Sequence, residues 1–91
     1  MPRRSKKQFF TYIVQCRDGS YYTGHTTNID RRMQEHNSGI GGRYTRSRLP
    51  VKLIHIERYQ TRKEAIKRET EIKKLSRRDK RKLTTVHVTD Y

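Results

Sequence analysis

The run FFTYIVQC, residues 9 to 16, is the most apolar stretch of this chain, and its β-branched and aromatic content reads as a strand. Apolar side chains are 30% of the 91 residues, against a usual ~45–50%, so nearly all of them are needed for a core. A domain this small buries only about two-thirds of its unfolded surface. Polar residues on core-facing positions therefore call for an explanation.

Turn chemistry and periodicity organise the rest. RDG follows the first strand and SYYTG returns as a second. A two-residue turn at Asp18-Gly19 would put Tyr12 and Tyr22 on opposite faces. A three-residue loop, Arg17-Asp18-Gly19, would pair Val14 with Tyr22 and bring both tyrosines to one face, because strand side chains alternate. The Asp-Gly ending suits the longer loop, with Gly19 left-handed in a bulge. Asn28 can cap a helix from Ile29 to about Asn37. SGIGG reads as a flexible loop and RYTRSRLP as irregular basic chain. VKLIHIERY, residues 51 to 59, is a third strand. Thr61 and Glu64 form a capping box for a helix running to about Leu75, and Ser76 can cap a short basic helix after it. The order is β-β-α-β-α-α: an α+β fold whose domain spans residues 8–83, between a basic arm, 1–7, and a tail, 84–91, that is either loose or an added edge strand.

Helical spacing then picks out the informative polar residues. Ile29 and Met33 define the buried stripe of the first helix. Arg32 and His36 lie on its edge one turn apart, and Arg31 points away. On the long helix, Glu69 falls between Ala65 and Ile66, inside the apolar stripe. A carboxylate turned toward a core costs several kcal/mol unless it is paired or binds a cation. A salt bridge to an arginine and a metal-binding or catalytic role explain it equally well at this level. His55 and His87 read as structural.

Charge narrows the partners. Lys and Arg number 23 against 9 Asp and Glu, a formal charge of +14. That suits a polyanion, with nucleic acid foremost. No apolar run approaches the ~18 residues of a spanning helix, so a membrane partner is not expected. The basic start lacks a hydrophobic signal segment, and one cysteine, Cys16, offers neither an internal disulfide nor a zinc cluster. The expected location is cytoplasmic.

A tyrosine in the first strand, YTG about ten residues on, NIDRRMQEHN, and a helix carrying an inward glutamate together resemble the GIY-YIG nuclease superfamily, closest to its small stand-alone bacterial members. GGRYTRSRLPVKLIHIERY and EAIKRETEIKKLSR are similar to that group as well. The resemblance implies a central antiparallel three-stranded sheet flanked by helices, and cleavage of DNA phosphodiesters with one divalent metal. Tyr12 and Tyr22 match the two motif tyrosines, with Gly24 closing the second motif. Arg32 stands at the position of the catalytic arginine, His36 four residues on at a histidine or tyrosine position, and Glu69 at the metal-binding glutamate. Phe10, Thr11 and Thr23 depart from the motifs at positions that shape strand packing.

On this reading Glu69 would hold Mg²⁺, or another divalent cation such as Mn²⁺, and Arg32 would stabilise the oxyanion. Tyr22 or His36 would activate water, and Tyr12 would orient a water or a phosphate oxygen. His25, Arg31, Arg43, Tyr44, Arg46, Lys73, Lys74 and Arg77 are the expected nucleic-acid contacts. The expected protein is a monomeric DNA endonuclease, with branched or damaged DNA among its candidate substrates. The alternatives are a non-catalytic nucleic-acid-binding module with the same fold, or a nuclease that needs a partner protein.

Overall fold

A computed structural model of the protein describes residues 8–84. The arm at 1–7, the tail beyond residue 84 and His87 lie outside them. The strands are β1 (Phe9–Gln15), β2 (Tyr21–Thr26) and β3 (Lys52–Tyr59), paired antiparallel in the order β2-β1-β3. The helices are α1 (Ile29–Asn37), α2 (Arg43–Arg46), α3 (Arg62–Lys73) and α4 (Arg77–Thr84).

Strand β1 is central and covered on both faces, which is why its sequence is apolar almost throughout. Phe10, Tyr12 and Val14 pack with Ile29 of α1 and with Val51, flanked by Met33, Leu49, Leu53 and Ile56. On the opposite face, the Thr11 hydroxyl donates to the Ala65 carbonyl of α3 at 2.8 Å in a buried bond. The sheet therefore separates an α1 side from an α3 side.

The β1–β2 hairpin takes the three-residue loop. Val14 pairs with Tyr22, Cys16 N–H donates to Ser20 O at 2.8 Å, and Gly19 N–H donates to Cys16 O at 2.9 Å. Gly19 sits at φ +88°, where a side chain would be strained. The Asp18 carboxylate accepts from both the backbone and the hydroxyl of Ser20, tightening the turn. Tyr12 and Tyr22 consequently share the α1 side. The β1–β3 pairing carries a register shift between Ile13 and Val14.

The expected caps form. Asn28 accepts from Arg31 N–H at 2.9 Å, and Thr61 and Glu64 make the reciprocal capping box. Three expectations need correcting. RYTRSRLP is not wholly irregular: Arg43–Arg46 makes one helical turn, and Thr45 within it is fully buried. Four residues are too few to carry a periodic signal. Helix α3 ends at Lys73 rather than Leu75, because Lys74 and Leu75 donate back three residues, to Glu71 and Ile72, in a tightened last turn. Ile66 is 40% exposed, so the buried stripe of α3 centres on Ala65 and Ile72, with Glu69 on its border.

Arg68, on the other border of that stripe, enters a polar network with β3. Glu57 accepts from Tyr59 at 2.6 Å, from Arg68 Nε at 2.8 Å and from His55 at 2.8 Å. Burial opposes its charge, but these donors win and hold the carboxyl down at about 2.

Candidate active site

On the α1 side a chain of hydrogen bonds runs from the first helix to α2. Arg32 Nε–H donates to the Tyr12 hydroxyl at 3.3 Å, and that hydroxyl lies 2.9 Å from His36 Nε2. His36 Nδ1 lies 2.9 Å from Thr45 Oγ1, which in turn reaches Gly42 O at 3.5 Å. A carbonyl can only accept, so Thr45 O–H donates to Gly42 O and its oxygen accepts from His36 Nδ1–H; Nε2 of a neutral imidazole then accepts from the Tyr12 O–H. Tyr12, His36 and Thr45 are all fully buried.

Burial sets the protonation of this chain. It pushes the Tyr12 phenol up to about 12, with the Arg32 bond opposing, and it pulls His36 down to about 4, reinforced by the Arg32 charge. His36 is therefore a neutral imidazole with both nitrogens engaged. Two glycines make the room. A Cβ on Gly24 would sit 2.7 Å from the Tyr12 hydroxyl, and one on Gly41 would sit 2.5 Å from His36 Cα. Arg32 is anchored further by Glu35, 2.9 Å from Nη1, and by the Gly41 carbonyl on Nη2.

Glu69 comes from the α3 side. Its Oε1 lies 2.5 Å from His25 Nδ1 on β2, and its Oε2 lies 2.6 Å from Lys73 Nζ. Burial favours the neutral acid, but the bonds from Lys73 and His25 outweigh it and keep the pKa below the ordinary carboxylate value. The charge of Glu69 is also felt by the Tyr12 phenol across the sheet. Tyr22, on edge strand β2, joins the two sides. Its ring makes edge contacts with His36 at 5.5 Å and stacks on Tyr44 at 6.0 Å. With Tyr21, Thr23, Tyr44, Lys73 and Lys80 it lines a groove of about 210 Å³. A larger hollow of about 540 Å³, around Cys16, Arg17 and Lys52, contains none of these groups.

Among the described residues no three or more His, Cys, Asp or Glu are grouped to hold a metal. One ionised carboxylate is nonetheless an adequate protein ligand for Mg²⁺, which keeps most of its waters. Lys73, with its side chain 53% exposed, can leave Oε2. Glu69 thus fits a divalent ion.

The GIY-YIG catalytic domain family matches residues 8–83. The chain belongs to that family. Similar proteins include a UPF0213 protein of Listeria welshimeri, 52% identical over 80% of this chain and 81% of its own length. A UPF0213 protein of Haloquadratum walsbyi is 51% identical over 81% and 83%. Among solved structures, the UPF0213 protein BH0048 of Bacillus halodurans is 44% identical with a TM-score of 0.57, covering 87% of this chain and 84% of its own. The protein EF2693 of E. faecalis is 42% identical with a TM-score of 0.59, covering 98% and 96%. The designation UPF0213 names no activity. No helix among the described residues is long and apolar enough to cross a membrane.

Within this GIY-YIG chain, Tyr12, Tyr22, Arg32 and His36 come together as one cluster. Glu69 approaches from the other face of the sheet, and its partners are a histidine and a lysine rather than an arginine. The expected nucleic-acid contacts divide. Arg31 is 60% exposed with Glu35 at 3.7 Å, and Arg43, Arg46 and Lys74 are exposed. Tyr44 lies between Tyr22 and the Arg48 guanidinium, 4.0 Å from its ring. Arg77 donates to Gly19 O at 3.1 Å and lies over Tyr21. His25 and Lys73 are engaged by Glu69. Glu35 and Gly41 were given no part in the site from the sequence, and Thr45 was marked only as the second member of a Tyr44-Thr45 pair similar to a recurring YT of the small family members. The i, i+3 spacing of Arg32 and Glu35 was the other available signal.

His36 and Glu57 give the fold an acid limb. Their folded pKa values, about 4 and about 2, lie below the ordinary 6.5 and 4.5. The unfolded chain therefore binds the extra proton, and stability present above the ordinary values is lost as pH falls. His36 is expected to withdraw up to about 3 kcal/mol between roughly pH 6.5 and 4, and Glu57 a similar amount between roughly pH 4.5 and 2. Urea unfolding followed downward from about pH 7 checks this. Stability that stays flat to about pH 4.5 would contradict the buried neutral imidazole.

Proposed function

We propose that this GIY-YIG domain is a metal-dependent DNA endonuclease with Glu69 as its metal ligand, Tyr22 as general base and Arg32 as the phosphoryl clamp. The observation that carries the reading is the ionised Glu69 carboxylate paired with Lys73, whose side chain lines a groove with Tyr22 and Lys80. A divalent ion bound there would supply Lewis-acid stabilisation of the phosphate and the leaving oxygen.

The residues themselves do the rest. Arg32 has five N–H groups, of which Tyr12, Glu35 and Gly41 engage three; the two remaining can meet phosphoryl oxygens. Tyr12 is sealed from solvent and acts through Arg32, holding the guanidinium steady, in place of the expected role of orienting a water or a phosphate oxygen. His36 likewise positions, since a buried imidazole with both nitrogens bonded cannot take a proton from a substrate water. That leaves Tyr22, half-buried at the groove, to activate water.

One observation favours a second reading, a nucleic-acid-binding module without catalysis. Both Glu69 oxygens and the Arg32 fork are already paired within the chain. A nuclease screen separates the two. Duplex, branched, damaged and single-stranded DNA, and RNA, are each incubated with and without Mg²⁺ or Mn²⁺. Cleavage of at least one DNA form, only with the ion, is the expected result. No cleavage of any substrate with either ion would leave the binding module or a nuclease that needs a partner protein.

A further inference from the structure

Lys73 was expected as a plain phosphate contact on a solvated basic face, but its ammonium lies 2.6 Å from Glu69 Oε2, one helical turn away. The same side chain lines the groove with Tyr22, Tyr44 and Lys80. Its hold on Glu69 is weak for a physical reason. The lysine side chain is 53% exposed, and exposed i, i+4 pairs gain little against water and side-chain entropy. The other oxygen is held differently. Oε1 is bound by His25 from edge strand β2, which ties the carboxylate to the sheet and fixes its direction. One oxygen is thus anchored and the other carries a displaceable cation.

We propose that Lys73 is an exchangeable counter-ion coupling the metal to the nucleic acid. Without a metal it neutralises Glu69. When a divalent cation takes Oε2, the ammonium is released into the groove and becomes a phosphate contact beside Tyr22. Metal and DNA then help each other bind, and the assistance is equal in both directions by linkage. The inference rests on the metal reading of Glu69 given above.

The test measures binding, in a Tyr22→Phe background so that DNA is not consumed. Lys73→Met keeps the aliphatic stem and removes the charge from an exposed helix position. Mn²⁺ affinity is measured by calorimetry for the free protein and for its complex with a labelled mixed-sequence DNA oligonucleotide. Lys73→Met is expected to tighten Mn²⁺ roughly two- to five-fold in the free protein. In the complex the gain should vanish, because the ammonium that Mn²⁺ displaces from Glu69 is then taken up by a phosphate. The salt dependence of oligonucleotide binding should also change. With Mn²⁺ present, Lys73 should add about 0.9 to the slope of log K against log salt, and without Mn²⁺ nothing.

An equal gain in free and bound protein would mean that only a nearby positive charge had been removed, and would overturn the exchange. So would an unchanged Mn²⁺ affinity, or a slope difference independent of Mn²⁺. If Mn²⁺ fails to bind either protein, and Glu69→Gln makes no difference, the metal reading of Glu69 falls together with the inference.

Discussion

Glu69→Gln is expected to abolish ion-dependent nicking, lowering it by about a thousand-fold or more, while the protein still folds. The reasoning separates charge from shape. Glutamine fills the same space on the border of the α3 stripe but offers no anionic oxygen to a divalent cation. Lewis-acid stabilisation is worth several kcal/mol, and each 1.36 kcal/mol is a factor of ten in rate. The structural loss is smaller. The bond to Lys73 is exposed and that to His25 is partly so, each worth on the order of 1 kcal/mol or less. Supercoiled plasmid nicking with increasing Mg²⁺, alongside thermal unfolding, reads both quantities. Cleavage as fast as that of the unaltered chain would remove Glu69 from the chemistry. Loss of cleavage together with loss of the fold would make it a structural residue.

Tyr22→Phe is the second large effect. It deletes one oxygen and leaves the ring that touches His36 and stacks on Tyr44. General base catalysis contributes roughly 10²- to 10⁴-fold, so kcat is expected to fall by that amount with little change in melting temperature. Plasmid nicking at saturating Mg²⁺ reads this directly. The contrast with His36 is what gives the experiment its force. An imidazole base would sustain the Tyr22→Phe enzyme at nearly full rate, and full retention of activity would move the base to another group.

Much of this site was legible before any coordinates. The Asp18-Gly19 ending favoured a three-residue loop over a two-residue turn, and with that loop strand parity put Tyr12 and Tyr22 on one face. Helical spacing turned Glu69 inward and set Arg32 and His36 side by side. What spacing does not carry is depth. It placed His36 at the edge of a stripe, whereas Gly41 and Thr45 enclose it completely. Nor does it carry pairing between distant segments. His25 and Glu69 are 44 residues apart, and only the packing of α3 on β2 makes them partners. Lys73 was different, because its i, i+4 relation to Glu69 was readable and was outweighed by the surrounding run of basic residues. Ile66 misled in the opposite way: an apolar residue beside the stripe drew the inferred face towards itself, although it lies in solvent.

The notch at Gly24 has a consequence for reading related chains. With Tyr12 filling the volume that a methyl group would need, the last letter of the YTG motif specifies shape and not suppleness. Any larger residue there must evict the phenol, and the guanidinium and imidazole leaning on it would lose their common support. A relative carrying alanine at that site, even with every reactive side chain intact, should therefore have a dismantled centre.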